Sequence, residues 1–217
     1  MSENTIRLGY VGLGNIGGPM ATSLAKWEGG MTVFDLSDDA VAKLVDAGAA
    51  KADSLADLAA NADIIGICVL NDAQVRTVVS GEGGLLSTAA PGTIIAIHST
   101  IGPQTAIDLA AEASEKGVTV LDAPISGGAI AAQSGRLAVM VGGPREAYTR
   151  LKEPYKLTAE MLIHAGDEVG AGTKMKLARN LLHFIAFTAT AEASRLAEAA
   201  GIDITKLGKV VRHTDSI

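Results

Sequence analysis

The run Gly12-Leu13-Gly14-Asn15-Ile16-Gly17 constrains this chain more than any other six residues. It sets three glycines at G-x-G-x-x-G spacing, directly after an apolar strand (Ile6 to Val11) and directly before a helical stretch (Pro19 to Trp27). A glycine turn by itself is a common accident. Between a strand and a helix it becomes a phosphate cradle: Gly12 permits the tight turn, Gly14 lets a pyrophosphate approach the backbone, and Gly17 lets the helix pack on the strand. The first helical amides have no intrahelical partner and face the phosphates. Asn15 and Ile16 belong to the same turn and the same candidate site.

A second strand, Met31 to Phe34, ends at Asp35. That is about 20 residues beyond the glycines, where dinucleotide-binding sheets carry an acid. A carboxylate there accepts hydrogen bonds from the adenosine ribose hydroxyls and repels a 2′-phosphate. No arginine follows in Leu36-Ser37-Asp38-Asp39. NAD is therefore the expected cofactor, with NADP disfavoured.

Further short apolar runs, rich in β-branched residues, cover Ile64–Leu70, Thr93–Ile97 and Val118–Leu121. Helical stretches at Asp39–Ala47, Ala73–Val79 and Pro103–Lys116 lie between strands. Alternating strands and helices imply right-handed crossovers and a mostly parallel, doubly wound sheet of Rossmann type. Leu137–Val141 and Met161–His164 read as two more strands, separated by a helix that starts near Pro144. Aromatics make up only 3% of the 217 residues and hydrophobic residues 48%, so Ala, Val, Ile and Leu must build the core. That mixture suits a parallel sheet under alanine-rich helices.

The pattern changes after Gly166. Leu177, Leu181, Phe184, Ile185 and Thr188 recur at helical spacing within one long helix, about Gly170 to Ala200, with Gly201 as its C′ residue. Asp203 caps a following helix that carries Ile204, Leu207 and Val211. The expected organisation is a Rossmann-type domain over residues 1–166 and the start of a helical domain over 167–217. Two helices do not close a core, so this all-α part reads as truncated: completed by a partner subunit, or belonging to a fragment.

Bulk properties exclude several classes. A net charge of −6 argues against nucleic acid as the main partner. No apolar run approaches the ~20 residues of a membrane span. Met1-Ser2-Glu3-Asn4 lacks a leader's basic and apolar regions, and one cysteine, Cys68, forms no disulfide framework within a chain. A cytoplasmic protein is expected. The four histidines show no metal-ligand spacing, so no metal is expected.

Proton chemistry needs a titratable side chain beside the cofactor. Lys176 and Asn180 stand four apart on the long helix and share a face. Lys174 points almost oppositely to Lys176, so at most one of the two faces a cleft. Helical pattern alone reads both lysines as solvated.

Four segments in order change that reading. Gly9 to Met20, Ser99-Thr100, Leu121-Asp122-Ala123-Pro124-Ile125-Ser126-Gly127-Gly128 and Gly170 to Asn180 together resemble the β-hydroxyacid dehydrogenase family. That family includes 3-hydroxyisobutyrate dehydrogenase and tartronate semialdehyde reductase. The resemblance implies an oxidoreductase that moves a hydride between the nicotinamide and a small β-hydroxy acid or its semialdehyde. By position, Lys176 resembles the catalytic lysine and Asn180 the asparagine that helps hold the substrate. Ser126, Gly127 and Gly128 resemble the loop that binds the substrate carboxylate. Thr100 resembles a residue touching the nicotinamide half, and Leu70 and Asn71 fall in the cofactor-contacting loop. An unperturbed lysine, with a pKa near 10.4, is a poor base at neutral pH, so a dry cleft and nearby cations must depress it. Arg179 and Lys174 are candidates for such assistance.

Two departures stand out. His98 occupies a place where relatives often carry an acid, and Arg179 one where many have asparagine. Family members usually continue through further helices, one carrying another lysine near the cofactor. Other readings are a catalytically silent NAD(P)-binding module and an imine reductase-like enzyme; the fold by itself does not decide between them. The apolar long helix implies a homodimer or higher homo-oligomer.

Overall fold

The computed structural model describes residues 5–214. The run Met1 to Asn4, read above as lacking a leader, and the terminal Ile217 lie outside the described residues. Two compact units divide the chain at Lys176/Leu177.

The first unit is built on one sheet. Its strands are β1 (Leu8–Val11), β2 (Met31–Phe34), β3 (Ala50–Lys51), β4 (Ile64–Ile67), β5 (Ile94–Ile97), β6 (Thr119–Asp122), β7 (Ile125–Ser126), β8 (Leu137–Gly142) and β9 (Ala159–Gly166). The order β3-β2-β1-β4-β5-β6 is parallel throughout, the order of a Rossmann sheet. Beyond β6 the sheet turns mixed: β8 runs antiparallel to β6 and β7 and parallel to β9.

Burial on both faces follows from period two. Leu8, Tyr10, Ile64, Ile94, Ala96 and Leu121 point into one core, closed by α1 (Gly17–Leu24), α2 (Asp38–Asp46), α6 (Gly128–Gln133) and α7 (Arg145–Tyr155). Val11, Ile65, Ile67, Ile95, Ile97 and Val120 point into the other, closed by α3 (Leu55–Ala60), α4 (Asp72–Ser80) and α5 (Pro103–Ser114). Both faces are covered, so the inner strands read as unbroken apolar runs rather than alternating ones.

The third expected strand, Ile64–Leu70, is cut short at Ile67. Past that point the chain leaves the ladder: Val69 N–H donates to Ser99 Oγ (2.9 Å), and Leu70 N–H to Gln74 Oε1 (2.9 Å). Apolar character carried on where pairing did not. The two-residue strands β3 and β7 and the six-residue helices α3 and α6 are too short to leave a periodic signal.

The long helix α8 (Ala171–Ala199) begins in the first unit and continues into the second, which also holds α9 (Ile204–Thr214). Gly201 takes a positive φ of 74° after α8, and Asp203 Oδ1 accepts Thr205 N–H at 2.8 Å before α9. Within the second unit Leu181, Leu182, Phe184, Ile185 and Phe187 are between 59% and 71% exposed. No helix among the described residues is long and apolar enough to cross a membrane.

Candidate functional site

Where the strand order reverses, between β1 and β4, neighbouring crossovers leave the sheet on opposite faces. A crevice must open beyond the carboxyl ends of the strands there. A cleft of about 900 Å³ occupies that position in the first unit. Its walls come from the residues at and after the ends of β1, β2, β4 and β5, from Leu55 of α3 and Gln74, Thr77 and Val78 of α4, from the segment after β6, and from Lys176.

The glycine turn forms one end. Gly12, Gly14, Asn15, Ile16 and Gly17 all line the cleft. Gly12 has φ +90°, and a side chain there would strike the Cys68 carbonyl; one at Gly17 would strike the carbonyl of Gly12. These two glycines answer packing demands. At Gly14 a Cβ would meet no protein atom within 4 Å, so its smallness serves nothing inside the chain. No side chain caps the N-terminus of α1; Gly18 N–H bonds the Gly14 carbonyl at 2.8 Å and Pro19 has no N–H, so the positive end of the helix meets the cleft at Gly17.

Asp35 lines the same end and is more engaged than expected. Its Oδ2 accepts the Leu13 amide at 2.6 Å and its Oδ1 the Ser37 amide at 2.8 Å. The carboxylate thus brackets the glycine turn to the end of β2, and each oxygen keeps a further lone pair. Leu70 lines the cleft and is 85% exposed, whereas Asn71 serves α4 as its N-cap, with Oδ1 accepting Gln74 N–H at 3.0 Å.

Thr100, Ser126, Gly127, Gly128 and Lys176 line the other end. Lys176 is 9% exposed and its Nζ donates to the Ile125 carbonyl at 2.5 Å; Lys174 is exposed. Of the two lysines at the start of α8, Lys176 is the one that faces the cleft. Asn180 lies one turn further along α8, in the second unit, half-buried, with Arg179 donating to its Oδ1 at 3.5 Å.

Two residues that the sequence reading left without a role organise this end. Asp122, wholly buried at the end of β6, accepts the Gly170 amide on Oδ1 (2.7 Å) and the Thr173 amide on Oδ2 (2.6 Å). It therefore caps the helix that carries Lys176. Desolvation pushes its carboxyl above the usual range, and the Thr173 and Gly170 amides oppose that rise. A signal existed: an acid four residues before Ser126, at a strand end, facing a glycine-rich helix start.

The second is His98, 1% exposed beneath the cleft wall. Its ring nitrogens contact the Ala123 carbonyl and the Tyr155 hydroxyl, each at 2.8 Å. Burial depresses its pKa from 6.5 to about 4, against the Ala123 hydrogen bond, so it is neutral at physiological pH. Cys68 also lines the cleft; burial pushes its thiol up to about 11, so it is no nucleophile at neutral pH. No group of three potential metal ligands occurs among the described residues.

Residues 7–166 match the family model of the NAD binding domain of 6-phosphogluconate dehydrogenase. An uncharacterized oxidoreductase of Mycobacterium tuberculosis is 57% identical over 98% of this chain and 71% of its own length. The 3-hydroxyisobutyrate dehydrogenase of Pseudomonas aeruginosa is 38% identical over 95% of this chain and 69% of its own. The solved structure of Mycobacterium tuberculosis 3-hydroxyisobutyrate dehydrogenase with L-serine superposes with a TM-score of 0.90, at 31% identity, covering 95% of this chain and 70% of that one. With its strand order, its glycine turn and these likenesses, the chain belongs to the hydroxyacid dehydrogenase family of oxidoreductases, built on the NAD(P)-binding domain of the 6-phosphogluconate dehydrogenase type.

Proposed function

We propose that this chain is an NAD-dependent dehydrogenase of a small β-hydroxy acid or its semialdehyde, with Lys176 as general acid and base. One observation carries the reading: the open-sided Gly14 turn and the Lys176 side chain line a single cleft. The residues present suit a dinucleotide. The uncapped first turn of α1 and the free space at Gly14 suit its pyrophosphate. Asp35 retains acceptor capacity for ribose hydroxyls and repels a 2′-phosphate, which favours NAD over NADP. When bound, the nicotinamide supplies the carbon that accepts or returns the hydride.

The chain's own residues do the rest. Ser126 hydroxyl and the Gly127 and Gly128 amides hold the substrate carboxylate, and Thr100 borders the nicotinamide half. Lys176 takes the hydroxyl proton during oxidation and returns it during reduction. Its bond to the Ile125 carbonyl fixes the amine beside the loop that carries Ser126. Asn180, on the same helical face, is assigned to holding the substrate. The buried site around Lys176 strengthens each of these charged contacts.

The test is a spectrophotometric screen of NAD reduction by the intact protein with small hydroxy acids, starting with 3-hydroxyisobutyrate. Reduction that depends on a β-hydroxy acid supports the proposal. Tight NAD binding without turnover of any of them overturns it in favour of a silent binding module. The exposed Leu181, Leu182, Phe184, Ile185 and Phe187 support a homo-oligomer, because single-chain exposure of several large apolar side chains close together is costly. A monomeric mass by light scattering overturns that part.

A further inference from the structure

His98 sits at the junction of the two ends of the cleft. It follows β5 and precedes Ser99, whose Oγ accepts Val69 N–H at 2.9 Å, and Thr100. Its Nδ1 partner, the Ala123 carbonyl, can only accept, so Nδ1 carries the proton. In the neutral ring Nε2 is then the acceptor, and Tyr155 must donate its hydroxyl proton to it. Both nitrogens are satisfied and the tautomer is fixed.

The packing around this pair is built for it. The His98 ring stacks on Tyr10 at 6.1 Å between centroids and lies 5.2 Å from the Tyr155 ring. Gly66, in the middle of β4, has no Cβ because one would strike both the Tyr155 hydroxyl and the Tyr10 ring. A polar triad at the floor of an otherwise apolar sheet face costs desolvation of every member, which a core of the same volume would avoid. What it gains is a directional tie. Ala123 is the third residue before Ser126, and its amide donates to Ile97 at 2.8 Å while its carbonyl accepts from His98. Ala123, two residues before β7, is thereby pinned to the end of β5 by both of its backbone groups, while β7 itself pairs with β8.

We infer that His98, held by Tyr155, is a positioning residue that fixes the Ile125–Gly128 loop, and with it the substrate carboxylate, relative to Thr100 on the cofactor side. This rests on the reading of Ser126 to Gly128 as the carboxylate loop. His98 borders the cleft at only 1% exposure, with both ring nitrogens turned to protein partners, and acts through the Ala123 carbonyl. Because the loop also bears the Ile125 carbonyl that holds Lys176, loosening it disturbs substrate placement before it disturbs dinucleotide binding.

The experiment pairs amide hydrogen exchange with steady-state kinetics on 3-hydroxyisobutyrate and calorimetry with NAD, for wild type and four variants. In His98→Leu, exchange at the Ile125, Ser126, Gly127 and Gly128 amides rises about tenfold while Gly12–Gly17 keeps its wild-type rates. KM for the acid rises by a similar factor and the Kd for NAD does not move. His98→Asn, whose amide nitrogen stands where Nδ1 does, restores the loop; His98→Gln, which reaches only toward Tyr155, does not. Tyr155→Phe keeps the ring and the core volume, and gives the same local pattern at about threefold even if His98→Leu does not fold. Exchange that rises evenly over the whole unit, or His98→Asn behaving as His98→Leu does, overturns the inference and leaves a merely structural histidine. A loop that loosens as expected in a protein that turns over no hydroxy acid, wild type included, overturns the proposed function and leaves the clamp standing.

Discussion

The two ends of the cleft are held in different ways. At the glycine end, one carboxylate, that of Asp35, binds the amides of Leu13 and Ser37 within 26 residues of sequence, and crowding fixes Gly17 against the Gly12 carbonyl and Gly12 against the Cys68 carbonyl after β4. At the lysine end, Lys176 depends on Asp122, 51 residues before Thr173, and on Ile125, 51 residues before Lys176. One end is a turn contiguous in sequence, braced by Asp35 and backed by Cys68 at the end of β4. The other is an assembly of distant segments, held by a few polar contacts whose loss leaves buried groups unpaired. The contrast separates binding from chemistry: damage at the lysine end should cost turnover, and damage at the glycine end should cost affinity for the dinucleotide.

The harshest test of that separation is Lys176→Ala. Loss of a general acid and base costs roughly 10²–10⁴ in rate, so turnover of a hydroxy acid should fall about a thousandfold. The Kd for NAD should stay within about twofold, since the turn is assembled without this helix. Near-normal turnover removes Lys176 from the mechanism; a parallel collapse in NAD affinity breaks the claim that the two ends are independent.

His98 lies between the ends and gives the next largest effect. Its pKa in the folded chain is depressed from 6.5 to about 4, so between these values the unfolded chain binds the extra proton. Stability is therefore full above pH 6.5 and falls as pH drops toward 4, by about 3 kcal/mol from this group. Asp122, with its carboxyl raised, acts in the opposite sense, because the folded chain takes up a proton there before the unfolded one does. Urea unfolding at pH 7 and pH 4.5 isolates the histidine as the difference between wild type and His98→Asn. An equal loss in both proteins means that His98 is not the group responsible.

The same locality explains what the amino-acid order disclosed. The inner strands were legible because both sheet faces are buried, which leaves unbroken runs such as Ile64–Ile67 and Ile94–Ile97. The glycine turn was legible because its strand, turn and helix are contiguous. The helical stretch that carries Lys176 was legible too, but its pattern alone left Lys174 and Lys176 equivalent. What separates them is contact with Ile125 and the capping of α8 by Asp122, pairings across about 50 residues that no periodicity encodes. His98 was harder still: its partners, Ala123 and Tyr155, lie on a loop and on a helix end. Short elements such as β7 were invisible because two residues make no pattern.

Asp122→Asn sharpens the lysine end without touching Lys176. An amide presents one oxygen and one NH₂ to the two N–H groups of Gly170 and Thr173, so one acceptor is lost and a donor faces a donor. The start of α8 should fray, with exchange at the Gly170 and Thr173 amides rising. The kcat should fall by about thirtyfold, as a misplaced general acid costs part of what its removal costs. The KM for NAD should hold. An unchanged kcat shows that Lys176 is placed without help from the Asp122 cap.

Asp35→Ala probes the glycine end and has the smallest expected effect. The carboxylate braces Leu13 and Ser37 and is proposed to meet the ribose, and the two roles predict different outcomes. Bracing is a local matter: losing it frees the Ser37 amide to water and leaves the amide of the buried Leu13 without its acceptor, at about 1–3 kcal/mol. Ribose binding shows in the cofactor ratio. With the acid gone, repulsion of a 2′-phosphate disappears with it, so affinity for NAD should fall about fivefold while affinity for NADP stays or rises. A fall of the same size for both nucleotides means that Asp35 serves the turn alone. In that case the selectivity of this cleft must come from other groups near the end of β2, of which Leu36 and Ser37 stand next in the chain.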